Sequence, residues 1–470
     1  MQQRAERREM AVSESSVAEL RAQVAGAVIM PGDVGYDEAR AAWNLVIDQY
    51  PAVIVRAESA ADVSAAVRFA GAHGLGVKVQ ATGHGASREA DGAMLVLTAG
   101  LTELRIDAEA QTAWVGAGLM WGPVLAKAQE AGLAPLLGSS PGVGAVGYTL
   151  GGGVGWLARK YGLASDSVLA FEVVLGDGRI VRASEDENAD LFWGLRGSAG
   201  SLGIVTGMEI RLFPVSMVYG GNLLYPVAQA REVLRRYRDW IATLPDAMTT
   251  SVVLLNVPPL PDVPEMLRGQ SFAVVRGAYA GPATEGAALM DHWRQWQSPV
   301  IDMFQEMPFA AVAGISMDPE GPMPGAGTSV WMDELSDEAI DVLIHYGTPQ
   351  GGPPAIVSTE VRHLGGAIAQ AEGVTSAYSL RNESLVLHAV GITPTPEAFT
   401  HVMGQLAGLR AALAPYLTGS VYPNFLEGEE KWARTADAFS PEVLEQLQAV
   451  KTKYDPQNIF RYALDIQPAG

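Results

Sequence analysis

GSSPGVGAVGYTLGGGVG, residues 138–155, places eight glycines in 18 positions. A regular helix or strand is disfavoured at that density, because each glycine gives up extra backbone freedom on ordering. Within the run, Gly142, Gly144 and Gly147 match the dinucleotide pattern G-x-G-x-x-G. In a nucleotide-binding strand–helix–strand unit that pattern follows a strand and opens a helix. Here Ser139, Ser140 and Pro141 stand where the strand belongs, and three more glycines follow at Gly151 to Gly153. A nicotinamide-type Rossmann site therefore lacks its context. The remaining readings are a set of tight turns, or a wall of bare backbone that a flat or phosphorylated ligand can approach closely. Two further glycine-rich passages in the same half of the chain, Thr82-Gly83-His84-Gly85 and Gly194 to Gly207, favour the wall.

Outward from this stretch the elements become regular. Ala52 to Arg56 is a short β-branched run, Ser59 to Ala72 carries Val63, Val67 and Ala70 at helical spacing, and Val77 to Val79 reads as a strand. That strand–helix–strand unit delivers the chain into the His84 loop. Further strands are predicted at Met94 to Leu97 and Thr112 to Val115, and a helix over Leu119 to Ala131, stopped by Gly132. Val168 to Leu175 and Arg179 to Ala183 flank Gly176-Asp177-Gly178 as a hairpin. After Phe213 the glycine clusters thin out, which marks a domain boundary. Amphipathic helices are predicted over Ala228 to Leu244 and Ala287 to Met303, and strands over Ser271 to Tyr279, Ser358 to His363 and Ser384 to Val390. Trp293 and Trp296 read as helix packing. Ser440 as N-cap and Pro441 in the first turn open a closing helix.

Composition removes whole classes of function. The 470 residues include no cysteine, so disulfides, thiolate metal sites and a cysteine nucleophile are excluded. With 52 acidic against 32 basic residues, a formal charge of −20 repels phosphate backbones and argues against nucleic-acid binding. The seven histidines are scattered without ligand spacing, so no metal is expected. Met1 to Ser16 is charged where an export signal needs an apolar core, and no long uncharged apolar run follows. A soluble cytoplasmic protein without a membrane partner is expected, its first dozen residues a disordered tail. His84, between two glycines on a loop leaving a strand, is either a solvated histidine or a nucleophilic imidazole that attaches a cofactor.

The order TGHG, then GSSPGVGAVGYTLGGGVGWLARKYGLASD, then DLFWGLRGSAGSLGIVT, resembles the PCMH-type flavin-binding domain of the vanillyl-alcohol-oxidase superfamily. The closing VYPNFLEGEE and YDPQNIFR resemble the C-terminal segment of its berberine-bridge-enzyme-like branch. The likeness runs from about Gly35 to Asp465. It implies an α+β protein with a two-subdomain FAD-binding domain and a substrate domain whose antiparallel sheet is covered by helices. The corresponding divisions are 1–30 (tail and first helix), 31–214 (FAD), 215–416 (substrate) and 417–470, which returns to the FAD domain. His84 matches the histidine that such enzymes bond to the flavin 8α-methyl. Thr82, Gly83, Gly85 and Ala86 match the loop that offers N–H groups to the pyrophosphate, a nest-like anion site. Ser140, Gly142, Val143, Gly147, Tyr148, Gly151 and Gly152 match the lining of the flavin's other side, Val205 the adenine side, and Tyr422 and Asn424 the returning Y-x-N segment.

The chain also departs from that pattern. Many members read R-x-G-G-H where this chain has Gln80-Ala81-Thr82-Gly83-His84. Ser140 falls where relatives carry a second flavin-linking cysteine, so attachment is expected through His84 alone. Val143 matches a position whose small side chain leaves oxygen room beside the flavin. Phe425 replaces a tyrosine often used as base. His388 is the candidate substitute, sharing a strand face with Val386 and Val390; the competing reading is a histidine satisfied in the sheet. Tyr422 and Tyr378 are the other catalytic candidates, and Arg362 and His363 weaker pocket residues. A flavin oxidase is expected, with hydride passing from a C–H beside a hydroxyl or amine of a small molecule to flavin N5, and O2 reoxidising the flavin to yield H2O2. The alternatives are a dehydrogenase or oxidative cyclase of the same fold with another acceptor, or a flavin-binding protein without turnover.

Overall fold

The computed structural model describes residues 12–259, 261, 263–370, 373 and 375–469. Apart from residue 12, the expected N-terminal tail lies outside that set, and the first helix is Glu14–Arg21, capped by Ser13. The architecture is α+β and contains three sheets. The first has four strands, β1 (Ala27–Ile29), β2 (Val53–Arg56), β3 (Val77–Gln80) and β4 (Met94–Leu97), in the order β1-β2-β4-β3. Its β2, β4 and β3 run parallel, joined through the helix Ala60–Ala72, whose N-cap Ser59 accepts a hydrogen bond from Asp62 N–H. The second sheet is antiparallel and comprises β5 (Leu104–Asp107), β6 (Thr112–Gly116), β7 (Val168–Val174), β8 (Ile180–Ser184) and β9 (Ile204–Arg211), ordered β5-β6-β9-β7-β8. The hairpin around Gly178 is present; that residue has a φ of +82°.

The third sheet is larger and antiparallel. Its path comprises β10 (Met217–Pro226), β11 (Met248–Asn256), β12 (Ser271–Tyr279), β13 (Ile301–Asp302), β15 (Gly325–Met332), β16 (Ser358–His363) and β17 (Leu385–Ile392). They are ordered β13-β10-β12-β11-β16-β17-β15, and β14 (Gln305–Pro308) pairs beside β10. One face buries Leu223, Val252, Leu254, Val275, Val361, Leu387 and Ala389 against helices that bring Val233, Tyr237, Trp240 and Trp293. The two smaller sheets use residues 27–211 and the large one begins at Met217, so the change of sheet falls beside Phe213. The helix predicted over 287–303 instead spans Ala283–Arg294, and Ile301–Asp302 joins the sheet. Pro299 explains the shortfall: it disfavours helical backbone at the residue before it. Trp293 is fully buried, beside Tyr225 and Trp240.

The C-terminal segment does not form a separate layer. Leu447, Val450, Ile459, Phe460 and Leu464 join the same core as β2, β7 and β9. The helix Pro441–Tyr454, capped by Ser440, ends on a fully buried ion pair, Lys451 Nζ to Asp455 Oδ2 at 2.7 Å. Asp455 also accepts the N–H groups of Ile459 (2.8 Å) and Phe460 (2.9 Å), while Lys451 donates to the carbonyls of Ser201 (2.6 Å) and Phe460 (3.0 Å). This knot ties the tail to the third glycine-rich passage. Removing one member of such a buried pair strands the other, at about 3–5 kcal/mol. Asp455→Ala is expected to lower unfolding free energy by that order in urea titration; a loss below about 1 kcal/mol would contradict the role given to the pair.

Candidate active site

The three glycine-rich passages and the free face of the large sheet enclose one cavity of about 970 Å³, at the upper end of the range for cofactor and small-molecule sites. On the loop wall, Gly83 has a φ of +85°, and a Cβ there would come within 2.8 Å of Ala42 Cα and Trp43 N. Glycine is thus required twice over, by backbone angle and by close approach. The packing sets His84 on Trp43, ring centroids 4.2 Å apart and 17° from parallel, with Nδ1 2.8 Å from Thr82 Oγ1. Burial lowers the His84 pKa to about 4, so the imidazole is neutral. Thr82, Gly83, His84, Gly85, Ala86, Ser140, Val143, Gly147, Tyr148, Val205, Asn424 and His388 all line the cavity. Gly147 faces open space; nothing lies within 4 Å of where its Cβ would stand.

Other expected site residues stand behind this wall. Gly142 is not among the lining residues; a Cβ there would meet Ser140 Oγ at 3.7 Å. Gly151 and Gly152 make room for Asn424 and for the ring of Tyr378, which a Cβ on Gly152 would approach to 2.8 Å. Tyr378 and Tyr422, expected as catalytic groups, lie outside the cavity in a small apolar cluster with Val154, Trp331 and Val386. Tyr422 is fully buried, its oxygen receiving the N–H groups of Gly153 (3.1 Å) and Val154 (3.0 Å) and lying 3.1 Å from Asn424 Nδ2. Burial pushes its pKa up to about 12. Its hydroxyl joins the glycine stretch to the returning segment. His363 likewise turns from the main cavity, its Nε2 3.1 Å from an Arg159 nitrogen.

The sheet wall carries charge. On the face opposite the helix-packed core, register places His388 beside Glu360, and Ser251 beside Arg276. Glu360 accepts from Ser251 Oγ (2.6 Å) and from Arg362 Nε (2.9 Å) and Nη2 (2.8 Å). Burial opposes its ionisation, but Arg362, Arg276 and the Ser251 hydrogen bond outweigh it and hold the pKa at about 2. His388 stacks on Phe425, centroids 4.3 Å apart and 10° from parallel, and the Arg362 guanidinium lies over the Phe425 ring at 4.9 Å. Burial first and Arg362 second lower the His388 pKa to about 4. An ordinary imidazole titrates near neutrality; this environment favours the neutral form of His388 and makes it a weaker base.

At the junction of the two walls, Glu427 and Lys431 line the cavity from the returning segment. Lys431 donates to Gly85 O at 3.2 Å. Burial pushes Glu427 up to about 7 and Lys431 down to about 8. Trp43, Arg276, Glu360, Glu427 and Lys431 were not found from the sequence. For Glu360 and Arg362 the available sign was a charged pair two apart in a strand otherwise buried.

Several cavity-lining residues carry buried polar atoms without protein partners, namely Trp43 Nε1, Tyr148 Oη, Arg276 Nε, Ser316 Oγ and Glu427 Oε2. A polar ligand of cofactor size, laid against the open backbone at Gly147, fits that wall. Among the described residues no cluster could hold a metal ion, and no helix is long and apolar enough to cross a membrane. These features define an FAD-dependent oxidoreductase. Residues 51–184 match the family model described as FAD binding domain, and residues 421–467 that described as berberine and berberine like. (R)-6-hydroxynicotine oxidase of Paenarthrobacter nicotinovorans is 30% identical over 463 residues, spanning 95% of this chain and 98% of that one. A chitooligosaccharide oxidase of Gibberella zeae is 26% identical over 475 residues, 93% and 91% of the two chains. The crystal structure of 6-hydroxy-D-nicotine oxidase from Arthrobacter nicotinovorans superposes with a TM-score of 0.82 at 24% identity, covering 95% of this chain and 98% of that one. A glucooligosaccharide oxidase from Acremonium strictum, with 6-S-cysteinyl, 8α-N1-histidyl FAD, gives 0.81 at 24%, covering 97% and 100%. The chain belongs to the berberine-bridge-enzyme-like family of FAD-linked oxidoreductases.

His388, and His363 with a pKa lowered to about 3, are held neutral in the fold, whereas the unfolded chain protonates both near pH 6.5. Their contribution is complete above that pH and is lost as pH falls toward 4, about 1 kcal/mol each at pH 5.5. Urea midpoints at pH 7.5 and 5.5 should therefore differ less in His388→Gln than in the wild type. An unchanged difference would contradict the neutral, buried state.

Proposed function

We propose that the protein is an oxidase that removes hydride from a C–H beside a hydroxyl or amine of a small molecule and uses O2 as final acceptor. The observation that carries this reading is the single cavity in which the His84 loop faces the polar sheet wall of His388, Glu360 and Arg362. Bound FAD would supply the two-electron acceptor there and pass its electrons to O2, releasing H2O2. Thr82 to Ala86 and Lys431 would hold the phosphates and their surroundings, Val143, Gly147 and Tyr148 the ring system, and Val205 the adenine side. Residues 31–214 would form the cofactor half and 215–416 the substrate half. The proton would go to His388. Its side chain stacks on Phe425 and makes no hydrogen bond to protein among the described residues, so a ring nitrogen is free to accept from the substrate's OH or NH. Phe425 holds that ring flat, and Arg362 is fixed by Glu360.

Two measurements test this. A screen of hydroxylated and aminated metabolites should find compounds that bleach the yellow band without air and release peroxide in air, with reoxidation in seconds. Bleaching followed by reoxidation over minutes would move the protein to the dehydrogenases, and a flavin no compound bleaches would leave a binding protein. Attachment has a separate readout: with Ser140 in place of a thiol, acid-precipitated wild type should stay yellow and His84→Ala should lose its colour. A colourless wild-type pellet would rule the single link out.

A further inference from the structure

Among the described residues Arg276 makes no close hydrogen bond, although its charge helps keep the Glu360 carboxyl ionised. It lies on β12 between Asn222 of β10 and Ser251 of β11, on the sheet face that lines the cavity. It is only 6% exposed, its Nε has no partner, and its one hydrogen bond among the described residues is a 3.5 Å contact from Nη1 to Ser316 O. Glu360, whose ionised form Arg276 supports through space, takes its hydrogen bonds from Ser251 and two nitrogens of Arg362 and leaves the Arg276 donors unfilled. Asp318, also on the cavity wall, accepts from Ser139 at 2.7 Å. A buried guanidinium with unfilled donors is costly to maintain and is relieved by an anion in bidentate geometry.

We propose that Arg276 anchors a carboxylate of the substrate, so that the substrate is an acid whose carboxylate lies remote from the carbon that is oxidised. This assignment rests on the oxidase reading above. In the order β12-β11-β16-β17, Arg276 stands three strands from His388 and two residues off its register, about 16 Å at ordinary strand spacing and rise. The acid therefore needs a body between its two ends. Between Arg276 and His388 stand Ser251, Arg362 and Glu360, and along one side of that line on the same face runs an apolar cluster, Leu224, Val253, Phe272 and Val274 with Leu255, Val257 and Leu267, against which a hydrocarbon or aryl body can lie. The hydroxyls of a neutral sugar could accept from Arg276 but would not offset its charge, and a cationic amine would accept nothing from it.

The test uses the holoenzyme and reads ligand binding through the flavin absorbance, with 4-phenylbutyrate and 4-phenylbutyramide as probes of equal shape. The acid should bind about 10-fold or more tightly than the amide. Arg276→Gln should bring the two within about twofold by weakening the acid alone, and Arg276→Lys should keep part of the preference. Equal affinities in the wild type, or no response to the acid at millimolar concentration, overturn the assignment; so does a preference that survives in Arg276→Gln. If that variant does not fold, the wild-type ratio of acid to amide and its decline with added salt decide the matter. Binding is read without turnover, so an acid preference in a protein that releases no peroxide would defeat the oxidase reading and leave the anchor standing. Peroxide release from neutral compounds alone, with no acid preference, would do the reverse.

Discussion

The hydroxyl oxygen of Tyr422 is where the two halves of the molecule are held together. It takes the N–H groups of Gly153 and Val154, donors that the turns of the glycine stretch leave unpaired. Two residues on, Asn424 reaches back to the carbonyl of Tyr148 at 2.8 Å. The chain arrives there from the large sheet, with Trp331 N–H donating to Ser420 O and Thr418 N–H donating to Trp331 O. One short segment thus touches β15 on one side and the glycine wall on the other. Glycine at 151 and 152 is what lets Asn424 and Tyr378 come so close. The same segment carries Phe425 to His388, and Arg159, just after the glycine stretch, donates to Met248 O and Leu364 O and adds a second tie to the large sheet.

Charge within the cavity is arranged by similar economy. Glu360 and Arg362 satisfy one another and Ser251, and the pair is buried at a sheet face where an uncompensated charge would cost several kcal/mol, on the order expected for interior ions. Glu427 and Lys431 are shifted in opposite directions, each toward its neutral form, as burial dictates when the partner does not fully compensate. Arg276 is the exception, its guanidinium held by one long contact to Ser316 O.

Much of the fold was legible because its local chemistry is strong. Ser59 and Ser440 cap helices as their sequence context requires, and Val77 leads a strand into the His84 loop. Strands β10 and β11 were not legible, because they are buried on both faces and show no alternation to read. Of the candidate site, the resemblance and the glycines pointed to the cofactor wall. The sheet wall was hidden for a different reason: Glu360, Ser251 and Arg276 come from three strands and meet only through register. The placement of Tyr378 and Tyr422 in a packed cluster beside the cavity was not legible, because an aromatic hydroxyl beside glycines fits a site and a packed cluster equally well until burial and partners are known.

The weakness of His388 as a base constrains the order of events in the proposed reaction. A group with a pKa of about 4, the value to which burial and Arg362 together bring His388, cannot draw a proton from an ordinary alcohol. General-base assistance is most effective when the pKa lies near the working pH, and here it lies well below. Loss of hydride, however, leaves the substrate as a protonated carbonyl or iminium, and its O–H is then far more acidic than that of the alcohol. A neutral imidazole at the end of the sheet wall can accept that proton even with a depressed pKa. In the proposed reaction this favours hydride departure running ahead of proton transfer, with His388 receiving the proton late. The same positive Arg362 that weakens the base is fixed against Glu360, whose negative charge partly offsets its effect on His388.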